Sequence, residues 1–364
     1  MAEPANIAAF LMAEKAYPLE VRESPYPTPV KDEVVIKTAA IAINPVDWIV
    51  QATAVIPFPY PWILGRDCAG TIVAIGPAQT THRVGDRVLG LAVGFATKDP
   101  SCSAFQAYVK LSPPLVTKIP PAISFVDAAV LPLGTATAAA GLFEDYLLGL
   151  RLPSSSPPSR GLEAETGVAE SEREAAAVVV WGAASSVGSC AVQLAVQAGY
   201  VVLATASPAN FAYARDELGA TAVFDYKIAG VVEEIVRVVE AGRYRLAGVF
   251  DAVGGGGAVE KCVEIAAMVR KGSRLVCTVR PLPDELSQKL PEGVQCGQVM
   301  ASEIRNTPVG PAVFEQFLPK ALEDGRFKCL PGPEVVGEGL HSLQKGLDEL
   351  KAGVSAKKLV IVMP

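Results

Sequence analysis

From residue 177 onward the chain alternates short aliphatic, β-branched runs with longer helical segments, and this alternation limits the fold more than any other feature. The strand-like runs fall at 177–181, 201–205, 222–225, 246–251 and 274–278, with helical segments between them. Strands separated by helices are joined by crossovers rather than hairpins, so they lie parallel and the crossovers are right-handed. The fold class expected is α/β, a doubly wound parallel sheet. The helix after the first strand places Val187, Ala191, Leu194, Ala195 and Ala198 on one apolar stripe, expected to face that sheet.

The preceding part has another texture. Residues 33–43, 69–75, 86–92 and 105–110 are β-branched runs bounded by Gly, Pro and Asp, as in a β-rich, barrel-like region. Ala-rich helical segments begin near Ser124, and the chain finishes with a helix at 340–351 and a strand at 359–363. With 364 residues it exceeds one ordinary core and suits two. Between 153 and 174 it is rich in Ser, Pro, Gly and Glu, too polar to bury, and reads as a mobile surface insertion.

The segment Val178-Val-Val-Trp-Gly-Ala-Ala-Ser-Ser-Val-Gly188 is a strand, a small-residue turn and a helix start. Backbone N–H groups at such a turn, with the helix N-terminus, can bind a pyrophosphate. The three glycine positions of the dinucleotide fingerprint fall on Ala183, Ser185 and Gly188, and Ser186 and Val187 complete the candidate turn. So degenerate a motif is weak alone; the strand–helix units that follow it raise its weight. An NAD site needs a carboxylate at the end of the second strand for the ribose 2′-hydroxyl. Here that strand runs into Ser207-Pro-Ala-Asn210, and the next acid is Asp216. A 2′-phosphate is tolerated there, and Ser207, Asn210, Arg215 and Tyr226 form a candidate donor set, so NADP(H) is the cofactor expected.

Composition removes several classes. A net charge of −6 and the lack of a Lys/Arg run give nucleic acid no electrostatic footprint. No apolar stretch reads as a bilayer span, and the N-terminus lacks the charge pattern of a signal peptide. Seven scattered cysteines with no C-x-x-C read as reduced thiols, most of them small core residues, which makes cytoplasm the expected compartment.

Five ordered motifs now bear on identity: Ile43-Asn-Pro-Val-Asp47, Leu64-Gly-Arg-Asp-Cys-Ala-Gly70, Val84-Gly-Asp-Arg-Val88, Leu131-Pro-Leu-Gly-Thr-Ala-Thr137 and Trp181-Gly-Ala-Ala-Ser-Ser-Val-Gly188. With the closing Gly353-Val-Ser-Ala-Lys-Lys-Leu-Val360, the chain resembles the zinc-free medium-chain dehydrogenase/reductases that include quinone oxidoreductases. The Pro/Ser insertion, the Thr205-Ala-Ser-Pro-Ala-Asn-Phe211 stretch and Val223-Phe-Asp-Tyr226 resemble, more narrowly, fungal trans-acting enoyl reductases that partner polyketide synthases. The resemblance implies a GroES-like catalytic domain made from both chain ends around a Rossmann domain. The expected division is 1–130, 131–302 and a return over 303–364. It also implies that Asn44, Asp47 and Thr137 lie at nicotinamide or substrate contacts.

Zinc is disfavoured by the residues themselves. A catalytic site needs about three Cys, His or acidic ligands and a structural site usually four close cysteines. Only two histidines exist, and Gly65-Arg66-Asp67 stands where zinc-dependent relatives carry Gly-His-Glu. His82 and His341 are both expected at the surface. Without metal, the chemistry implied is hydride transfer from NADPH to an activated alkene, with the enolate stabilised by hydrogen-bond donors. Thr137 is a candidate polar contact or, equally, a small helix-packing residue, and Asp47 can serve by closing the Asn-Pro turn. Two residues beyond Asp47, where relatives place a Tyr or Lys, this chain has Ile49, which cannot donate a proton.

Two functions follow. One is an NADPH-dependent enoyl or quinone-type reductase, taking a small-molecule or carrier-bound acyl substrate with a polyketide synthase as partner. Proton donation then falls to water, Tyr108 or Arg66. The other is a redox-silent NADP-binding member working as a non-redox cyclase or accessory binding protein. After the 274–278 strand the chain runs Val279-Arg-Pro-Leu-Pro-Asp284, and its two prolines disfavour an edge-to-edge dimer, so a monomer is expected.

Overall fold

The computed structural model describes residues 4–154 and 175–364, so nearly all of the expected 153–174 insertion lies outside the described residues. The chain divides into two units, Met1–Leu133 with Leu322–Pro364, and Gly134–Ala321.

The first unit opens with a hairpin absent from the sequence reading, β1 (Asn6–Leu11) and β2 (Glu20–Ser24). It continues through β3 (Val34–Ala42), the helix α1 (Pro45–Thr53), β4 (Trp62–Ile63), β5 (Asp67–Ile75), β6 (Arg87–Leu91), β7 (Tyr108–Leu111) and β8 (Val116–Lys118). β3 is buried along both faces except at Lys37 and Ala39, the pattern of a central strand rather than of an alternating edge. Helix α2 (Pro132–Phe143) follows, starting at the end of this unit and running into the second. The helical run Phe125–Phe143 is long and apolar enough to cross a membrane by length and composition, contrary to the sequence reading. It is 78% buried inside the protein, as in a core helix.

The second unit carries β9 (Ala176–Trp181), α3 (Ser186–Gln197), β10 (Val201–Ala206), β11 (Ala222–Asp225), α4 (Val231–Ala241), β12 (Arg245–Asp251), α5 (Ala258–Met268), β13 (Leu275–Thr278) and β14 (Gln295–Gln298). All six strands are parallel, in the order β11-β10-β9-β12-β13-β14. Counted from β9 this is 3-2-1-4-5-6, the dinucleotide-fold order, in which ligands bind where the winding reverses, beyond the carboxyl ends of the first and fourth strands. Helix α4 shows how the second unit holds together: Val231, Val232, Ile235, Val236 and Val239 share one buried face, and Glu233 and Glu234 in its first turn complement the helix dipole. In α3, by contrast, every residue from Gly188 to Ala195 is buried, Ser189 and Gln193 included, so the helix is covered all round rather than along one stripe.

β14 alters the edge argument. The prolines after β13 do not border the sheet, because the chain returns and adds Gln295–Gln298 beyond it. The premise for a monomer is therefore absent from this fold.

The chain then re-enters the first unit with β15 (Pro333–Glu338), α6 (Leu343–Ala352) and β16 (Lys358–Val362). The larger sheet there has the order β15-β16-β3-β5-β6-β8, with β7 also paired to β3. Ile41, Ile43, Trp62, Leu343, Leu347 and Ile361 form part of one core, drawn from both ends of the chain. All seven cysteines are free thiols, five of them buried. His341 is exposed, as expected. His82 is not: it is 6% exposed, and burial with nearby Lys118 holds its pKa below the usual value.

Candidate functional site

The turn after β9 begins at Gly182, whose φ of +87° favours glycine. The tight-turn role therefore falls on Gly182 rather than on Ala183. A Cβ on Gly182 would stand 2.3 Å from the Val253 side chain, and one on Gly188 would stand 2.1 Å from the Gly182 carbonyl oxygen. Only glycine lets helix α3 approach the strand end this closely. Thr205 of β10 clamps the turn, taking the Gly182 N–H on Oγ1 (3.0 Å) and the Ala183 N–H on its carbonyl (2.9 Å). Ser185 is the N-cap: its hydroxyl accepts from the Gly188 N–H (3.0 Å) and donates to the Gly182 carbonyl (2.9 Å). Ser186 and Val187 head the helix, where backbone N–H groups have no acceptor four residues back. The Ser186 Oγ is buried with no partner.

The end of β10 carries no acid. Ser207 follows it, and the Asn210 side chain donates to the Ser207 hydroxyl (3.2 Å). In the β10–β11 register Ala206 pairs with Asp225, which places Ser207 and Tyr226 at neighbouring strand ends. Arg215 stands apart from this grouping in one respect: it is engaged by its exposed neighbour Asp216 (Nε–Oδ1 2.8 Å). Lys227, whose Nζ lies 5.7 Å from the Tyr226 ring centroid, is a cation the sequence reading missed. Asp251 was missed too. Wholly buried at the end of β12, it accepts the Val253 and Gly254 N–H groups (2.9 and 3.0 Å) and the Thr278 hydroxyl (2.8 Å). Thr137 is buried on α2, 8% exposed.

In the first unit the family-type motifs converge on a buried polar cluster. Asn44 is the N-cap of α1, and its N–H donates to Asp47 Oδ2 (2.9 Å), which closes the Asn-Pro turn. Asn44 Nδ2 donates to Asp67 Oδ2 (2.9 Å), and the Leu133 N–H donates to Asp67 Oδ1 (2.6 Å). Lys358 completes the group, donating to Asn44 Oδ1 and standing 3.0 Å from Asp67 Oδ2. Asp47 Oδ1, by contrast, is buried with no partner. Burial raises the Asp47 pKa to about 7, with the Asp67 charge pushing the same way; the Asn44 N–H, Arg66 and Lys358 oppose it. Arg66 lies 5.2 Å from the Phe95 ring centroid, and its pKa is lowered by burial. Ile49 sits half-buried on α1.

Residues 30–121 match the alcohol dehydrogenase GroES-like domain and residues 186–290 the zinc-binding dehydrogenase domain. The dehydrogenase pigH of Monascus ruber is 40% identical, covering 98% of this chain and 99% of its own. The chain belongs to the medium-chain dehydrogenase/reductase family. Within this family the trans-enoyl reductase himH of Aspergillus japonicus is 38% identical, covering 99% of this chain and 98% of its own. The crystal structure of the CurK enoyl reductase shares the medium-chain reductase fold at a TM-score of 0.73, with 22% identity and 99% of each chain covered.

Family and Rossmann sheet imply a nicotinamide cofactor, and the β9–α3 turn fits one: two glycines admit no Cβ, and helix-head donors are available. Among the described residues no three His, Cys, Asp or Glu side chains stand together as a metal site would need. Asn44 and Asp47 lie together in the first unit, whereas Thr137, on α2, belongs to the second. Lys358 escaped the sequence reading, although the closing motif that contains it was the available signal.

Proposed function

We propose that the protein is a zinc-independent, NADPH-dependent reductase of an activated carbon–carbon double bond, an enoyl reductase acting in trans on acyl chains held by a polyketide synthase. The observation that carries this reading is the similarity to the trans-enoyl reductase himH along 99% of the chain. When bound, the nicotinamide supplies a hydride to the β-carbon of the alkene. The helix-head N–H groups of Ser186 and Val187 bind the diphosphate. Ser207, Asn210 and Tyr226, at strand ends without a carboxylate on β10, favour a 2′-phosphate over a free 2′-hydroxyl. Thr137 is the polar contact to nicotinamide or substrate, and Asn44 with Asp47 fixes the start of α1 beside it in function.

Fluorescence titration with NADPH and NADH tests the cofactor half, with an NADPH preference of at least about tenfold expected for one lost charge-assisted contact. Equal affinities would overturn it. Absorbance at 340 nm with crotonyl-N-acetylcysteamine and with a benzoquinone tests the reaction. Ile49 supports a second reading, a redox-silent NADP-binding cyclase or accessory protein, because its side chain offers no proton where relatives carry a donor. A protein that binds NADPH yet consumes none with either acceptor class favours that reading.

A further inference from the structure

We propose that Arg66 is the oxygen-binding catalytic residue of this site, its guanidinium taking the acyl oxygen of a conjugated, α,β-unsaturated thioester. This rests on the reductase reading above and names the group that replaces the donor missing at Ile49.

The first ground is an unsatisfied cation. Arg66 is 8% exposed, and its Nε is wholly buried without a partner. Among the described residues, none of the five N–H donors of this guanidinium has a protein acceptor, and no carboxylate oxygen lies within 4 Å. Arginines are rarely buried this way unless paired, because the desolvation cost is uncompensated. The two acids that act on it are otherwise committed. Asp67 is taken by Lys358, Asn44 and the Leu133 N–H. Asp47 gives one carboxylate oxygen to the Asn44 N–H, and its other oxygen has no hydrogen-bond partner, so it makes no ion pair with Arg66.

The second ground is that the backbone holds Arg66 rigidly in this costly position. Gly65 has φ +94°, and a Cβ there would stand 2.2 Å from the Phe105 ring. The carbonyls of Leu64, Gly65 and Arg66 accept from the N–H groups of Phe105 (3.0 Å), Ala104 (3.0 Å) and Ala92 (2.7 Å).

The third ground is the surroundings. Arg66 lies over Phe95, Phe95 packs on Phe58 (5.2 Å between centroids), and Phe58 stacks on Trp62 (4.7 Å, 11° between planes). Trp62 opens β4, Phe58 lies in the loop before it, and Phe95 lies on the short helix Gly94–Thr97. A guanidinium beside flat aromatic faces matches a carbonyl oxygen attached to a flat conjugated chain. During reduction the hydride's two electrons form the new bond at the β-carbon. The alkene pair shifts to place negative charge on the acyl oxygen, held by Arg66, and the α-carbon then takes a proton from water.

The test uses the full chain and crotonate, a flat conjugated carboxylate, as probe. Calorimetry at pH 7 should show crotonate binding to wild type weakened at least tenfold in Arg66→Met and less in Arg66→Lys, with NADPH affinity unchanged in both. Arg66→Met should also raise Tm, because it removes an unpaired buried charge, whereas a structural arginine would lower Tm when lost. With crotonyl-N-acetylcysteamine, kcat should fall at least 100-fold in Arg66→Met, with KM moving far less. Crotonate affinity unchanged in Arg66→Met, no binding to wild type at tens of millimolar, or a lowered Tm would overturn the proposal. A wild type that binds crotonate through Arg66 but never oxidises NADPH overturns the reductase reading and leaves the oxygen site standing.

Discussion

At the end of β12, Asp251 places one oxygen on two backbone N–H groups and the other on the Thr278 hydroxyl. At the head of α1, Asp47 is as deeply buried, yet one of its oxygens meets nothing and its pKa rises to about 7. Both carboxylates organise a turn. Asp251 shapes the loop whose Val253 packs against Gly182, and both of its oxygens are satisfied by hydrogen bonds within that unit. The cluster around Asp47 and Arg66 instead leaves charged groups unmatched, Asp47 Oδ1 and Arg66 Nε, where the nucleotide turn leaves only the neutral Ser186 hydroxyl. Sites that must receive charge during a reaction are where such frustration is expected.

The comparison breaks most visibly at Asp251. Asp251→Ala strands three donors in the interior, each costing about 1–3 kcal/mol, so urea unfolding should show a loss of at least about 3 kcal/mol. A change under about 1 kcal/mol would mean the two carboxylates are not treated differently.

Asp47 should behave in the opposite sense. Its folded pKa lies above the unfolded 3.8, so the native state holds the proton more tightly. Stability therefore falls as pH rises from about 4 to about 7 and levels off beyond. Asp47→Asn keeps an acceptor for the Asn44 N–H and should flatten that slope, shrinking the difference between pH 5 and pH 8 by about 1–4 kcal/mol. Urea unfolding at the two pH values measures it, and an unchanged slope sinks the assignment.

The smallest effect concerns selectivity on the satisfied side. Ser207→Ala should weaken NADPH by about 0.5–1.5 kcal/mol and leave NADH unchanged. Equal weakening of both would place Ser207 at the turn or ribose rather than at a 2′-phosphate.

Hydrophobic periodicity made the parallel sheet legible: the five strands read from 177 onward match β9 to β13 within a residue or so. Periodicity failed where burial did not depend on it. β14 is the polar stretch Gln-Cys-Gly-Gln, held by its neighbour's backbone rather than by apolar side chains. Helix α3 looked one-sided because Ser189 and Gln193 are polar, yet both are buried, with Ser189 donating to the Ala183 carbonyl (2.9 Å). Motifs placed Asn44 and Asp47 near functional chemistry but said nothing of their partners. Asn44 and Lys358 are 314 residues apart, and no local pattern encodes such a pair. His82 shows the same limit, since its polar flanks hid its burial.

The seat of β16 between β3 and β15 has a consequence in time. A ribosome delivers residues 134–321 complete, able to wind their parallel sheet, while the first unit still lacks the strand that pairs with Ala40–Ala42 of β3. Until Lys358 emerges, Asp67 has no ammonium beside it, and β3 offers a bare edge of the kind that pairs with wrong neighbours. The nascent protein thus holds a completed parallel sheet in one unit while the other still has an open strand edge, an interval in which wrong pairing competes with closure.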